Sequence, residues 1–148
     1  MSRDSGAYAT NTSNLKFSFM YQRQIDFKEA VARAMSNYCC FNGRASRSEY
    51  WWFVLFVFIA SVIVGFICGF LFGEDTGQTV NSIIMFVAFF LPGLGLSVRR
   101  LHATGRSGWW VLLNLIPIVG GLIVLYWFIL PSQTTDNQYG PVPNMVQG

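Results

Sequence analysis

Between Tyr50 and Thr135 the chain carries only five formal charges, on Glu74, Asp75, Arg99, Arg100 and Arg106. A run of 86 residues so poor in charge has no side that water would wet, and this limits the folds open to it more than any motif does. The charges divide the run into three uncharged windows: Tyr50 to Gly73, Thr76 to Val98 and Ser107 to Thr135, of 24, 23 and 29 residues. Each exceeds the roughly 20 residues a helix needs to cross about 30 Å of hydrocarbon. At about −0.3 to −0.6 kcal/mol for each Leu, Ile, Val or Phe, the 15 such residues of the first window favour insertion by roughly 4.5–9 kcal/mol. The second window has 11, offset by Asn81, Ser82, Pro92 and Ser97, and the third has 14 between Trp109 and Leu130. A soluble helix of this length would need a polar face, and none of the windows supplies one.

Composition narrows the choice further. At 148 residues the chain is long enough for one domain, and with 53% hydrophobic and 11% charged residues it falls well below the roughly 25% charge of an average soluble domain. Disorder, a disulfide scaffold and an ordinary soluble enzyme all need polar sequence that is missing. The expected fold is all-α: an integral membrane protein with about three transmembrane helices, near 50–73, 79–98 and 109–130, and a short N-terminal amphipathic helix. No cleavable signal peptide is expected, because 49 mostly polar residues precede the first apolar run.

Lys and Arg indicate orientation. Residues 1–49 hold seven of them, the connection from Arg99 to Gly108 holds three, and the Glu74 connector and the segment after Leu130 hold none. Under the positive-inside rule the N-terminus and the Arg99 loop are cytoplasmic, and the Glu74 connector and the tail lie outside. Tyr50, Trp51 and Trp52 open the first window and Trp109 and Trp110 the third, as interface anchors at cytoplasmic headgroup level; Tyr126 and Trp127 are expected at the opposite interface. The basic residues sit where a membrane already uses them, so nucleic acid is not an expected partner. Membrane lipids are.

Residues 1–24 read as a mobile polar tail, 25–143 as the membrane domain and 144–148 as a C-terminal tail. Within 26–40, Phe27, Val31, Ala34, Met35 and Tyr38 recur at helical spacing with Lys28, Glu29 and Arg33 between them. Asp26 and Glu29 have capping-box spacing, and the helix is expected to lie in the cytoplasmic interface or to pack against protein. In the first span Ser61, Gly65, Gly69 and Gly73 form a small-residue stripe that permits close helix packing, within the protomer or in a homo-oligomer. Pro92 and Pro117, each followed by glycines, are expected to break or kink their helices. A re-entrant hairpin folded at Pro117 to Gly121 would return the tail to the cytoplasm. With only 29 residues in the window, a single third span is the preferred reading.

Two segments at the cytoplasmic rim share one grammar of guanidinium groups, glycine, small hydroxyls and a tryptophan pair: Phe41 to Trp52 and Arg99 to Trp110. Glu49, spaced from Ser46 as in a capping box, is expected to form a structural ion pair with Arg99 or Arg100. Phe41, Gly43, Arg44, Arg47, Glu49, Tyr50 and Trp51, then Leu91 and Pro92, then Arg99 through Leu101, His102 and Thr104 through Trp110, then Ile116, Pro117 and Gly120, and finally Asn137, Tyr139, Gly140, Pro141 and Pro143, resemble the domain of unknown function 805 family of small bacterial inner-membrane proteins. The resemblance covers about residues 25–143. It implies a multi-pass inner-membrane location and this architecture, and it implies no activity. The family pattern has an aspartate after the histidine where this chain has Ala103, which argues against a His and Asp proton relay. It also has a basic residue at the position of Gln138 and a Gly and Pro rich approach in place of Ser132, Gln133 and Thr134.

The rim is the candidate site. Arg44, Arg47, Arg99, Arg100, His102 and Arg106 are expected to bind anionic headgroups or a partner, since guanidinium forks match phosphate. His102 has no sequence-local partner to set its tautomer. Cys39 and Cys40 are adjacent and lack metal-ligand spacing, and Cys68 lies within the first span, so no metal, disulfide or cofactor is expected. No nucleophile elbow, phosphate loop or dinucleotide fingerprint occurs. The reading is a non-enzymatic structural or interaction protein; the alternative is a small transporter or channel subunit using the proline-broken helices.

Overall fold

The computed structural model describes residues 20–147; the tail reading for residues 1–19 lies outside it. Two long antiparallel helices form the frame. α2 (Arg47–Phe72) starts where the Ser46 hydroxyl accepts from the Glu49 N–H at 3.2 Å, and ends at Gly73, whose φ of 82° suits glycine. That single residue joins it to α3 (Glu74–Ala103). At about 1.5 Å per residue the two helices are about 39 and 45 Å long, and both are long and apolar enough to cross a membrane. Their outer faces carry Phe66, Phe70 and Val87 in the open, a surface suited to lipid and not to water.

The small-residue stripe is engaged inside the chain. Ser61 lies 3.5 Å from Asn81 Nδ2, and a Cβ on Gly65 would meet the Asn81 amide at 3.2 Å. A Cβ on Gly77 would stand 2.6 Å from the Gly69 Cα, so Gly69 and Gly77 mark the closest crossing of α2 and α3. α3 packs against this stripe at Ser61 and Gly65, and its Gly77 approaches the Gly69 backbone.

α1 (Phe27–Ser36) is amphipathic and shorter than the expected 26–40. Asp26 caps it by accepting from the Glu29 N–H at 2.8 Å, and Asn37 closes it by donating its side-chain amide to the Arg33 carbonyl at 2.8 Å. It packs on the start of α2, where Phe27 meets the Trp52 ring edge-on and the Trp52 indole donates to the Ile25 carbonyl at 3.1 Å.

Pro92 does not break α3, which runs through it without interruption. Proline at position 92 leaves the Ala88 carbonyl, four residues back, without its helical donor. The Tyr38 hydroxyl supplies one, donating to Ala88 O at 3.1 Å.

Pro117 does break its segment, and here the preferred expectation is corrected. In place of a third span, a 3₁₀ helix (Gly108–Leu115) descends beside α3, the chain reverses at Ile116 to Ile118, and α4 (Val119–Ile129) climbs back. The reversal is a tight γ-turn: Ile118 has φ 64° and ψ −66°, and the Val119 N–H donates to the Pro117 carbonyl at 2.7 Å. Gly120 lets the two arms touch, since a Cβ there would overlap the Leu113 carbonyl oxygen. Each arm is about 16 Å long, half of a hydrocarbon core. Both ends of this hairpin lie at the Arg99 end of α3, so the tail, expected outside, joins the basic face. Trp127, expected at the opposite interface, lies on Trp110 with ring centroids 5.8 Å apart.

The tail crosses the basic end and finishes in β2 (Met145–Gln147), antiparallel to β1 (Met20–Gln22). The parts of the two terminal segments that are described therefore pair with each other and do not hang free. The buried core is small and lies in the same half of the molecule. Ala34, Ala45, Phe53 and Leu96 form one cluster, Leu101, Val124 and Phe128 a second, and Tyr50 touches both.

Candidate functional site

The rim is built where four elements meet: the loop before α2, the last turn of α3, the hairpin ends and the tail. Arg100 is fully buried. Its Nε donates to the Phe128 carbonyl at 3.1 Å, Nη1 to Ser132 Oγ at 3.0 Å and to the Ala45 carbonyl at 3.3 Å, and Nη2 to the Leu130 carbonyl. The last carbonyls of α4 have no helical donors of their own, and a guanidinium fork satisfies several of them at once. Arg44 does the same for the tail, donating to the carbonyls of Gln133 at 2.6 Å, Thr135 at 2.8 Å and Gly140 at 3.3 Å. Burial pulls the Arg44 guanidinium below its ordinary pKa, and the charge of Asp136 opposes that shift.

Arg99 Nη1 lies 2.9 Å from Glu49 Oε1, with both side chains buried, and this pair ties α3 to α2. Arg23 and Arg33 flank Glu29, each within 2.6 Å. The Arg23 hydrogen bond, with the charges of both arginines, holds the Glu29 carboxyl below the usual carboxylate range against a smaller effect of desolvation.

Four of the six expected headgroup ligands, Arg44, Arg99, Arg100 and His102, are buried. Arg44, Arg99 and Arg100 face backbone or Glu49. Arg47 is exposed at the first position of α2. Arg106 is half-buried, with its guanidinium carbon 4.7 Å above the Trp127 ring and Nη1 donating to the Thr104 carbonyl at 3.3 Å. Trp51, Trp52 and Trp110 are partly open, and Trp109 is 79% exposed. His102 is buried, its Nδ1 3.1 Å from the Gly43 carbonyl and its ring stacked on Tyr139 with centroids 3.9 Å apart. Asn137 donates to the His102 carbonyl at 2.9 Å. Among the described residues no three His, Cys, Asp or Glu side chains converge as a metal site.

Two residues that matter here are not candidates from the sequence. Helical spacing puts Tyr38 on the apolar face of the helix expected over 26–40, and nothing local marks it as the partner of a carbonyl 50 residues away. Tyr139 is visible only as part of the family pattern. Chain spacing gives no hint that the tail returns to His102.

This geometry defines a class: a helical-hairpin protein with two long lipid-suited helices, a shorter apolar hairpin folded back beside them and an arginine-locked rim. The chain belongs to the family described as Protein of unknown function (DUF805), which matches residues 38–141. It is 36% identical over 114 residues to the inner membrane protein YhaH of Escherichia coli K12, covering 76% of this chain and 94% of that one. It is 39% identical over 109 residues to the inner membrane protein YhaI of the same organism, covering 74% and 90%. No solved structure matches it.

Proposed function

We propose that this is a non-enzymatic protein of the bacterial inner membrane, crossing it twice through α2 and α3, with the N-terminus, the Arg99 to Arg106 loop and the tail all on the cytoplasmic face. Its role is to hold a rigid basic and aromatic rim against anionic headgroups. The observation that carries this reading is the division of labour among the arginines. Arg44, Arg99 and Arg100 stiffen the rim from within, while Arg47 is exposed near Trp51 and Trp52 and Arg106 is half-exposed over Trp127. A cation at the surface attracts anionic lipid by about 1 kcal/mol. Native mass spectrometry of the Arg47→Gln, Arg106→Gln double variant is expected to show retention of phosphatidylglycerol reduced by about tenfold or more, with phosphatidylcholine unaffected. Equal retention of the anionic lipid would overturn the reading.

A second reading, a small transporter or channel subunit, draws on one observation. A polar cleft between α2 and α3 runs from Glu74 and Asp75 past Gln78 to Asn81, whose Oδ1 is buried with no hydrogen-bond partner among the described residues. Intramembrane polar groups of this kind mark solute paths in other proteins. Flux through reconstituted vesicles that is abolished by Asn81→Leu would favour it, and tight wild-type vesicles would dismiss it.

A further inference from the structure

A cavity of about 520 Å³ opens in the rim between α3, the 3₁₀ helix and the tail. That is within the roughly 300–1,000 Å³ of small-molecule sites. Its lining is mostly apolar, with Val98, Trp109 and Leu112 among it, and includes His102 and Tyr139. Because the Gly43 carbonyl can only accept, His102 Nδ1 carries the proton of the neutral ring, and Nε2 presents a lone pair. No described residue hydrogen-bonds to that nitrogen. The residue next to it is Gly108, where a Cβ would stand 3.2 Å from Nε2 and 2.5 Å from Val98 Cγ1, so only glycine leaves the approach open. Tyr139 lies parallel to the imidazole, with an interplanar angle of 2°, and fixes the ring plane. Asn42 and Ser107 add neutral polar groups to the lining, which contains no Lys, Arg, Asp or Glu.

We propose that this cavity binds a neutral, hydroxyl-bearing single-chain amphiphile, of which a monoacylglycerol is the simplest form. The chain lies along Val98 and Leu112, and a hydroxyl donates to His102 Nε2. The assignment rests on the reading that this end of the molecule sits at headgroup level. It follows from matching the site group by group. An acceptor nitrogen asks for a donor, which a carboxylate or phosphate lacks. An ammonium group would find no carboxylate in the lining. The apolar body asks for a chain.

The test uses the full chain in phosphatidylcholine nanodiscs, titrated with 1-(dibromostearoyl)glycerol while tryptophan quenching is read; the difference from Trp109→Phe isolates the cavity signal. Quenching at Trp109 is expected to saturate. It is expected to weaken about fivefold or more when both glycerol hydroxyls are acetylated, and to weaken likewise in His102→Phe, which keeps an aromatic ring against Tyr139. Leu112→Phe, which narrows the body and adds no tryptophan, is expected to weaken it about fivefold or more. Equal affinity for the acetylated probe or for dibromostearate, or quenching that never saturates, overturns the proposal. The acetylated probe is compared on the unmutated chain, so misfolding of a variant does not enter that result. Phosphatidylcholine brominated near the headgroup separates the two levels. If it quenches Trp109 and the glycerol probe does not saturate, the cavity assignment alone falls. If it leaves Trp109 unquenched, the headgroup-level reading falls and the site with it.

Discussion

Arg100 shows how a charged side chain at the end of an apolar helix becomes structural. Its donors meet the carbonyls of Ala45, Phe128 and Leu130 and the hydroxyl of Ser132, groups from three separate segments. Arg100→Leu would leave those acceptors buried and unpaired, at about 1–3 kcal/mol for each one that finds no water. The variant is expected to lose about 3 kcal/mol or more of stability in detergent, read as a lower midpoint of thermal unfolding. Arg47→Leu is expected to stay within about 0.5 kcal/mol of the parent. Tyr38 and Pro92 form a second residue-scale unit, because the hydroxyl replaces the donor that the proline lacks. Tyr38→Phe is expected to cost about 1 kcal/mol in the parent chain, and much less in a Pro92→Ala background, where an N–H becomes available to Ala88. Additive effects in that double-mutant cycle would show the hydroxyl to be incidental. The presence of arginines, the Glu49 partner and the caps at Asp26 and Ser46 were legible from residue type and spacing. Which arginines face inward was not, since the same guanidinium suits a phosphate or a row of carbonyls.

Among the elements, α2 and α3 were readable from length and apolarity alone, and α1 from its periodicity. The third apolar window was not. Its composition meets the requirement for a span, and only the turn at Pro117 to Val119 and the contact at Gly120 decide for a hairpin. Gly120→Leu is therefore expected to disrupt the hairpin selectively. The added side chain meets the Leu113 carbonyl, so the arms must part, and Trp110 to Trp127 proximity is expected to drop, read as a shift of tryptophan emission and loss of protection at α4 in hydrogen exchange. Unchanged exchange in α4 would mean that the arms are not held by this contact. Pro92 and Pro117 look alike in sequence, each followed by glycines. They differ in outcome because a tyrosine reaches the carbonyl freed by Pro92, whereas at Pro117 the backbone turns.

For the whole molecule, the hairpin places the tail beside the N-terminal segment, and β1 and β2 join them. A C-terminal fluorescent-protein fusion is expected to glow and a C-terminal alkaline-phosphatase fusion to be inactive, the signature of a cytoplasmic tail; the reverse pattern would require a third crossing. By itself the sequence determined that this chain is helical and suited to lipid, where its two long helices run, and that its cations gather at one end, because those properties depend on the energy of transferring each side chain from water and on neighbours within a helical turn. The tertiary structure alone decided that the third apolar segment folds back, that Arg44, Arg99 and Arg100 serve the fold while Arg47 remains exposed and Arg106 half-exposed, and that His102 meets Tyr139 beside a cavity. Those outcomes depend on which unpaired carbonyls lie within reach of which donors, and that pairing is set only when distant segments come together.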